Sequence, residues 1–176
     1  MNENQNKMNF DMNNEITVLK NIRPQNSPYA QAFGQLLGKY NWQWFVVLTF
    51  DAQCSKEVMM RRYLLWRKQI AKTERIQLGY ATVLCSHPHS HLHSVMVGLS
   101  NQSGKTLWDV DRLKWKAAWV QANVNYKPLS MKANQIENVA SSFAASSYLG
   151  HNAQQNDYSY YISKPKFLRK FLTATA

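Results

Sequence analysis

The chain has little of several things, and each shortage narrows what it does. It holds two cysteines, Cys54 and Cys85, in 176 residues. That count gives no disulfide framework, so a reducing, cytoplasmic setting is expected. No apolar run reaches membrane-spanning length, which removes an integral membrane role. The N-terminal Met1-Asn2-Glu3-Asn4-Gln5-Asn6-Lys7 lacks an apolar core, so no signal peptide is expected. There is no Gly-Lys-Ser/Thr phosphate loop, so no nucleotide-driven motor is expected in this chain. There is no internal repeat. Acidic residues are scarce, 10 against 21 Lys and Arg, leaving a net charge of +11. A domain this basic most often meets polyanions. Six Trp and nine Tyr add faces on which unstacked bases can lie, although most aromatics build cores.

What is abundant is histidine in one place. Four of the five lie in His87-Pro88-His89-Ser90-His91-Leu92-His93, which runs on as Ser94-Val95-Met96-Val97-Gly98. His91 and His93 are two apart, so on a strand they face the same way while Leu92 faces a core. Two imidazoles side by side are good ligands for a divalent metal. The competing reading is a histidine-rich surface turn with adventitious metal affinity. No carboxylate lies between Arg75 and His93 to join the pair. Two imidazoles alone make a thin site, and His87, His89 and Cys85 are the donors near them in the sequence.

Residues 1–26 are Asn-rich and read as mostly disordered, with a short ordered piece at Ile16–Leu19. Residues 27–176 read as one domain. Ser27-Pro28 opens a helix that Gly38 ends. Trp42 to Asp51 is nearly all apolar and predicts a central strand covered on both faces. Ser55 caps a helix over about 56–74, with Met59, Tyr63, Trp66 and Ile70 inward. Arg61, Lys68, Lys72 and Arg75 form a basic stripe on another face, either a solvated surface or a track for phosphates. Tyr80 to Cys85 is a strand, and the histidine segment supplies a turn and the next strand. Thr106 to about Asn123 reads as one helix with Leu107, Val110, Leu113, Ala117 and Val120 inward and Trp108, Trp115 and Trp119 widening that apolar face. Val124 to Ile136 is extended, with Pro128 arguing for an edge. Asn138 caps a helix of small residues that Gly150 stops. A basic, aromatic tail holds Tyr158 to Pro165 and a short amphipathic helix over 166–172. This order gives an α+β fold: a central, mainly antiparallel sheet of four to five strands with helices packed on it.

Three features in order resemble the HUH endonucleases, the rolling-circle replication initiators and their relatives, over about 42–164. The first is an apolar strand ending Leu48-Thr49-Phe50. The second is His91-Leu92-His93. The third is a tyrosine with a lysine three residues on, and here two candidates compete. Tyr148 lies on a helix after a strand, as the family places it, but its neighbour three on is His151. Tyr161 has Lys164 at the right offset, but Pro165 and the surrounding aromatics argue against a helix. Position puts Tyr148 first. The resemblance implies an RRM-like palm and a Mn²⁺ or Mg²⁺ ion on the histidines. It implies site-specific nicking and joining of single-stranded or hairpin DNA at a replication origin through a 5′-phosphotyrosine. His151 or Lys164 would neutralise phosphate charge, and another protein would supply the helicase. A single-tyrosine transposase and an inactive DNA-binding repressor are the alternatives within the superfamily. A zinc hydrolase lacks an acidic base near the histidines. Oligomeric state is not legible.

Overall fold

Each strand of the sheet pairs antiparallel to its neighbours, in the order β4-β1-β3-β2-β5. The computed structural model describes residues 26–50, 53–86, 89–122, 133–156 and 159–172. His87, the segment before Asn26 and the stretch holding Pro128 lie outside them. The strands are β1 (Trp44–Thr49), β2 (Gln77–Cys85), β3 (His91–Leu99), β4 (Gln135–Asn138) and β5 (Tyr160–Ile162). The helices are α1 (Pro28–Leu37), α2 (Lys56–Glu74), α3 (Arg112–Ala122), α4 (Ser142–Gln155) and the single turn α5 (Pro165–Leu168). The α+β class and the five-stranded antiparallel sheet follow the sequence expectation.

Alternation along the strands divides the core in two. Trp44, Val46 and Leu48 of β1 and Leu92 and Met96 of β3 face α2 and α3, whose Met59, Tyr63, Trp66, Ile70, Trp115 and Trp119 cover them. Phe45, Val47, Val83, Val95 and Val97 face the other way. There Phe33 and Leu37 of α1 and Ala145, Leu149 and Ala153 of α4 close the layer. Burial on both faces explains why β1 and the 95–97 stretch of β3 are almost wholly apolar.

Ser27 and Ser55 cap α1 and α2 as expected, their hydroxyls accepting from the N–H groups of Ala30 and Val58. The region from Thr106 departs from the expectation of one helix. It forms a 3₁₀ turn at Leu107–Asp109, then Val110 turns extended (φ −100°, ψ 135°) before α3 begins. That break resets the helical phase. Leu113 and Trp108, expected on the inward face, are 70% and 47% exposed, while Trp115 and Trp119 are buried there as expected.

The last long helix is also displaced from its expected bounds. Asn138 ends β4, and Ser141 is the true cap, its hydroxyl accepting from the Ala144 N–H at 3.2 Å. Gly150 does not stop α4 but sits inside it, against Phe33 and Ala30 of α1. The small residues serve this helix–helix approach as well as the approach to the sheet. Strand β5 was not foreseen: the Tyr160-Tyr161-Ile162 segment pairs with β2. No helix among the described residues is long and apolar enough to cross a membrane.

Candidate metal and tyrosine site

The first residues of β3 set the site. His91 lies between Thr49 of β1 and Cys85 of β2, and His93 between Val47 and Val83. Cross-strand partners share a face, so His91, His93 and Cys85 project together toward the side covered by α1 and α4. The two imidazoles are edge to face, their centroids 4.9 Å apart. One ligand atom from each of Cys85, His91 and His93 lies within 4.8 Å of the others. The corner is held firmly. The Thr49 N–H donates to Asn134 Oδ1 at 2.9 Å, and its hydroxyl donates to the Ala133 carbonyl at 3.1 Å. The Phe50 N–H donates to the Ser90 carbonyl at 2.9 Å. Thr49 of the first motif thus fixes the end of β1 beside His91.

The two histidines differ electrically. Nδ1 of half-exposed His91 is 2.8 Å from the His89 carbonyl, which can only accept. Nδ1 therefore carries the proton and Nε2 the lone pair, the arrangement that orients metal-binding histidines. His93 is 4% exposed, and its buried Nδ1 has no hydrogen-bond partner. Burial, and secondarily the neighbouring His91, push its pKa well below the usual 6.5, so it is neutral and fit to donate a lone pair. An imidazole pair of this kind fits a divalent ion. The thiol beside them does not fit Mg²⁺, which takes oxygen ligands. Cys85 is 1% exposed, and both cysteines are thiols rather than disulfide partners.

The tyrosine candidates separate cleanly. Tyr148 lies on α4 with its ring edge-on to His93, centroids 5.5 Å apart, and it also meets Phe45 at 5.7 Å. The site face thus brings Tyr148 against the histidine pair. Tyr161 pairs with Thr82 in register. The Thr82 hydroxyl meets Ser94, which meets Tyr63 of α2, on the opposite side of the sheet. Tyr161, 40% exposed, therefore has the sheet between it and the histidines. Its neighbour Tyr160 is on the histidine side, against Phe33.

The remaining candidates fall as follows. His151 is half-buried on α4, one turn beyond Tyr148. Lys164 is exposed and follows β5. His89 gives the site its carbonyl while its side chain is exposed. Arg61, Lys68, Lys72 and Arg75 are exposed on α2 and its C-cap, across the sheet from the histidines. Phe45, which packs against both His93 and Tyr148, carried no signal in the sequence beyond its place in an apolar strand. Cys85 was one of three candidates for a third ligand, and the β2–β3 register is what sets it opposite His91. Compared with known proteins, the chain matches no family model, no curated protein and no solved structure.

Proposed function

We propose that this chain nicks and rejoins single-stranded DNA at a specific sequence, with Tyr148 as nucleophile, and thereby starts rolling-circle replication of a plasmid- or phage-type element. The observation that supports the reading most is Tyr148 lying edge-on to His93, on the sheet face that carries His91. The Tyr148 oxygen attacks the scissile phosphorus, the bond to the 3′ oxygen breaks, and a 5′-phosphotyrosine forms. The phenolic proton leaves as the 3′ oxygen gains one. The new ester keeps the energy of the old bond, so a 3′-hydroxyl can reverse the step without ATP. A phenol with pKa about 10 is a poor nucleophile at neutral pH, so the phosphate must be positioned and its charge offset. His91 and His93 would hold a divalent ion, which when bound supplies Lewis-acid polarisation of the phosphate; the family resemblance implies Mn²⁺ or Mg²⁺, of which the neighbouring thiol does not fit Mg²⁺. His151 shares a helix face with Tyr148 and is the charge partner proposed here. Phe45 packs against both Tyr148 and His93, and that contact keeps their spacing.

A second reading is favoured by the donor beside the pair. The family places a carboxylate or Gln there, and this chain places a thiol, as a DNA-binding repressor without nicking activity could. A transposase that exchanges tyrosine helices is favoured less, because Tyr148 meets His93 of its own chain.

The test is covalent capture. The full chain is incubated with a randomised single-stranded DNA pool and Mn²⁺, Mg²⁺, Co²⁺ or Zn²⁺ in turn, and protein-linked DNA is recovered from a denaturing gel. Tyr148→Phe should abolish the adduct and Tyr161→Phe should leave it. The reverse pattern would move the nucleophile to Tyr161. DNA retained without any adduct, under every ion, would select the repressor.

A further inference from the structure

We propose that Cys85 is the third protein ligand of this site, and that the thiolate makes the site select a thiophilic ion of the Zn²⁺ and Co²⁺ class over Mg²⁺ and Mn²⁺. The inference rests on the reading of the histidine pair as a metal site and departs from the ion that the family resemblance implies.

The placement is backbone geometry. In the antiparallel β2–β3 ladder, Cys85 is the direct partner of His91, so its Cβ lies about 4.5–5.5 Å away on the same face. Two residues along β3, His93 adds the second imidazole. The three donor atoms lie within 4.8 Å of one another. Tetrahedral bonds of about 2.0–2.1 Å to nitrogen and 2.3 Å to sulfur need donors about 3.4–3.6 Å apart. Side-chain rotation about Cβ atoms already on one face is the movement that would close that difference.

The surroundings point the same way. Cys85 and His93 are both almost wholly buried, and the His93 Nδ1 has no hydrogen-bond partner there. A buried polar atom left unpaired is costly and calls for an explanation such as an ion. His91 is half-exposed, which leaves an approach from solvent. Its Nδ1 proton is held by the His89 carbonyl, so Nε2 is the nitrogen oriented to donate. Three protein donors leave one tetrahedral position open, as catalytic zinc sites do.

Ligand chemistry then sets the ion. Mg²⁺ demands near-octahedral oxygen and dehydrates reluctantly. Mn²⁺ binds N and S donors most weakly of the first-row divalent ions, and thiolate favours Zn²⁺. On binding, the Cys85 S–H bond breaks, its electron pair goes to the ion, and the proton passes to solvent.

The experiment needs no DNA. Co²⁺ is titrated into the full-length, reduced protein and followed by absorption. The expected result is a near-ultraviolet thiolate-to-cobalt charge-transfer band with intense visible bands of four-coordinate Co²⁺. Zn²⁺ should bleach both at one equivalent, and about a thousandfold excess of Mg²⁺ should not. Cys85→Ser should remove the charge-transfer band and weaken Zn²⁺ binding about a hundredfold, while Cys54→Ser should keep the band. Wild-type protein that binds Co²⁺ with no charge-transfer band overturns the proposal, whether or not the variants fold. So does a band that survives Cys85→Ser, or displacement of Co²⁺ by Mg²⁺. A chain that shows the band but forms no DNA adduct keeps this inference and loses the nicking one. A chain that nicks with Mg²⁺ and shows no band does the opposite.

Discussion

Four described residues, Trp44, Arg67, His93 and Ser146, bury a side-chain polar atom with no hydrogen-bond partner, and His93 is the one of them that belongs to the Cys85-His91-His93 group. Its ring is buried between Phe45 and Tyr148, and its Nδ1 is unpaired. An unsatisfied buried polar atom costs about 1–3 kcal/mol, and an apolar side chain of similar size removes that cost. In chelator-treated protein, His93→Leu should therefore unfold at the same or higher denaturant concentration than wild type, while metal binding is lost. The pH dependence should change with it. Burial depresses the folded pKa below 6.5, so as pH falls below 6.5 the unfolded chain takes up a proton that the folded chain refuses. Stability is thus full above that pH and declines as pH drops toward the depressed value, by at most about 1.4 kcal/mol per pH unit. Urea titrations between pH 7 and pH 5 should show this contribution in wild type and lack it in His93→Leu. A strongly destabilised variant with an unchanged pH slope would mean that His93 is an ordinary packing residue. The histidine pair was legible because a period of two needs only a strand. Among the tyrosines, position on a helix after a strand favoured Tyr148, but the packing of that helix on His93 and the register of Tyr161 opposite Thr82 are stated by no local pattern.

At the scale of elements, α4 decides where Tyr148 goes, and α1 decides where α4 goes. Gly34 of α1 sits against Phe143 and Ser147, and Gly150 of α4 against Phe33 and Ala30. The Trp42 N–H donates to Ser142 Oγ at 3.1 Å, which ties the start of α4 to the chain entering β1. In the sequence alone Gly150 reads as a stop, because glycine often ends helices. A glycine that admits a neighbouring helix has the same local signature, and only the packing of α1 distinguishes them. In the same way, the extended Val110 hid inside an apolar spacing that fits one continuous helix. The prediction is Gly150→Ala. Alanine favours an isolated helix by about 1 kcal/mol. Here its methyl would meet the Phe33 Cβ and the Ala30 backbone, neither of which is a flexible side-chain end. Overpacking of this kind costs about 1–3 kcal/mol, so the clash should win and thermal denaturation should show a lower Tm. Pushing α4 off α1 also moves Tyr148, and about 1 Å of misplacement can cost on the order of a hundredfold in rate. Single-turnover adduct formation should therefore fall more than stability accounts for. A higher Tm with unchanged adduct rate would show that α1 gives way freely.

At the scale of the molecule, the sheet is a partition. One face carries the histidines, Cys85 and Tyr148, and the other carries α2 with its basic stripe. Composition made the positive balance legible, but which face each charge occupies follows from the two-layer packing. A strand bound at Tyr148 therefore has the sheet and α2 between it and Arg61, Lys68, Lys72 and Arg75. If the chain binds DNA at Tyr148, these four of its 21 basic side chains would act at a distance, through the field that draws a polyanion in. Single-stranded DNA affinity should still fall steeply with salt, with a log–log slope of about −0.7 for each phosphate neutralised. Replacing all four by Gln should weaken binding less than about tenfold, through a lower association rate at low salt. At saturating DNA the rate of adduct formation should be unchanged, because none of the four touches the reacting phosphate. Stopped-flow binding and single-turnover capture across a salt series separate the two quantities. A loss of saturated rate would place the stripe on the substrate path and require the strand to wrap a sheet edge. A salt-independent affinity in the unsubstituted protein would remove nucleic acid as the partner, since a chain of net charge +11 that binds phosphates must release counterions to do so.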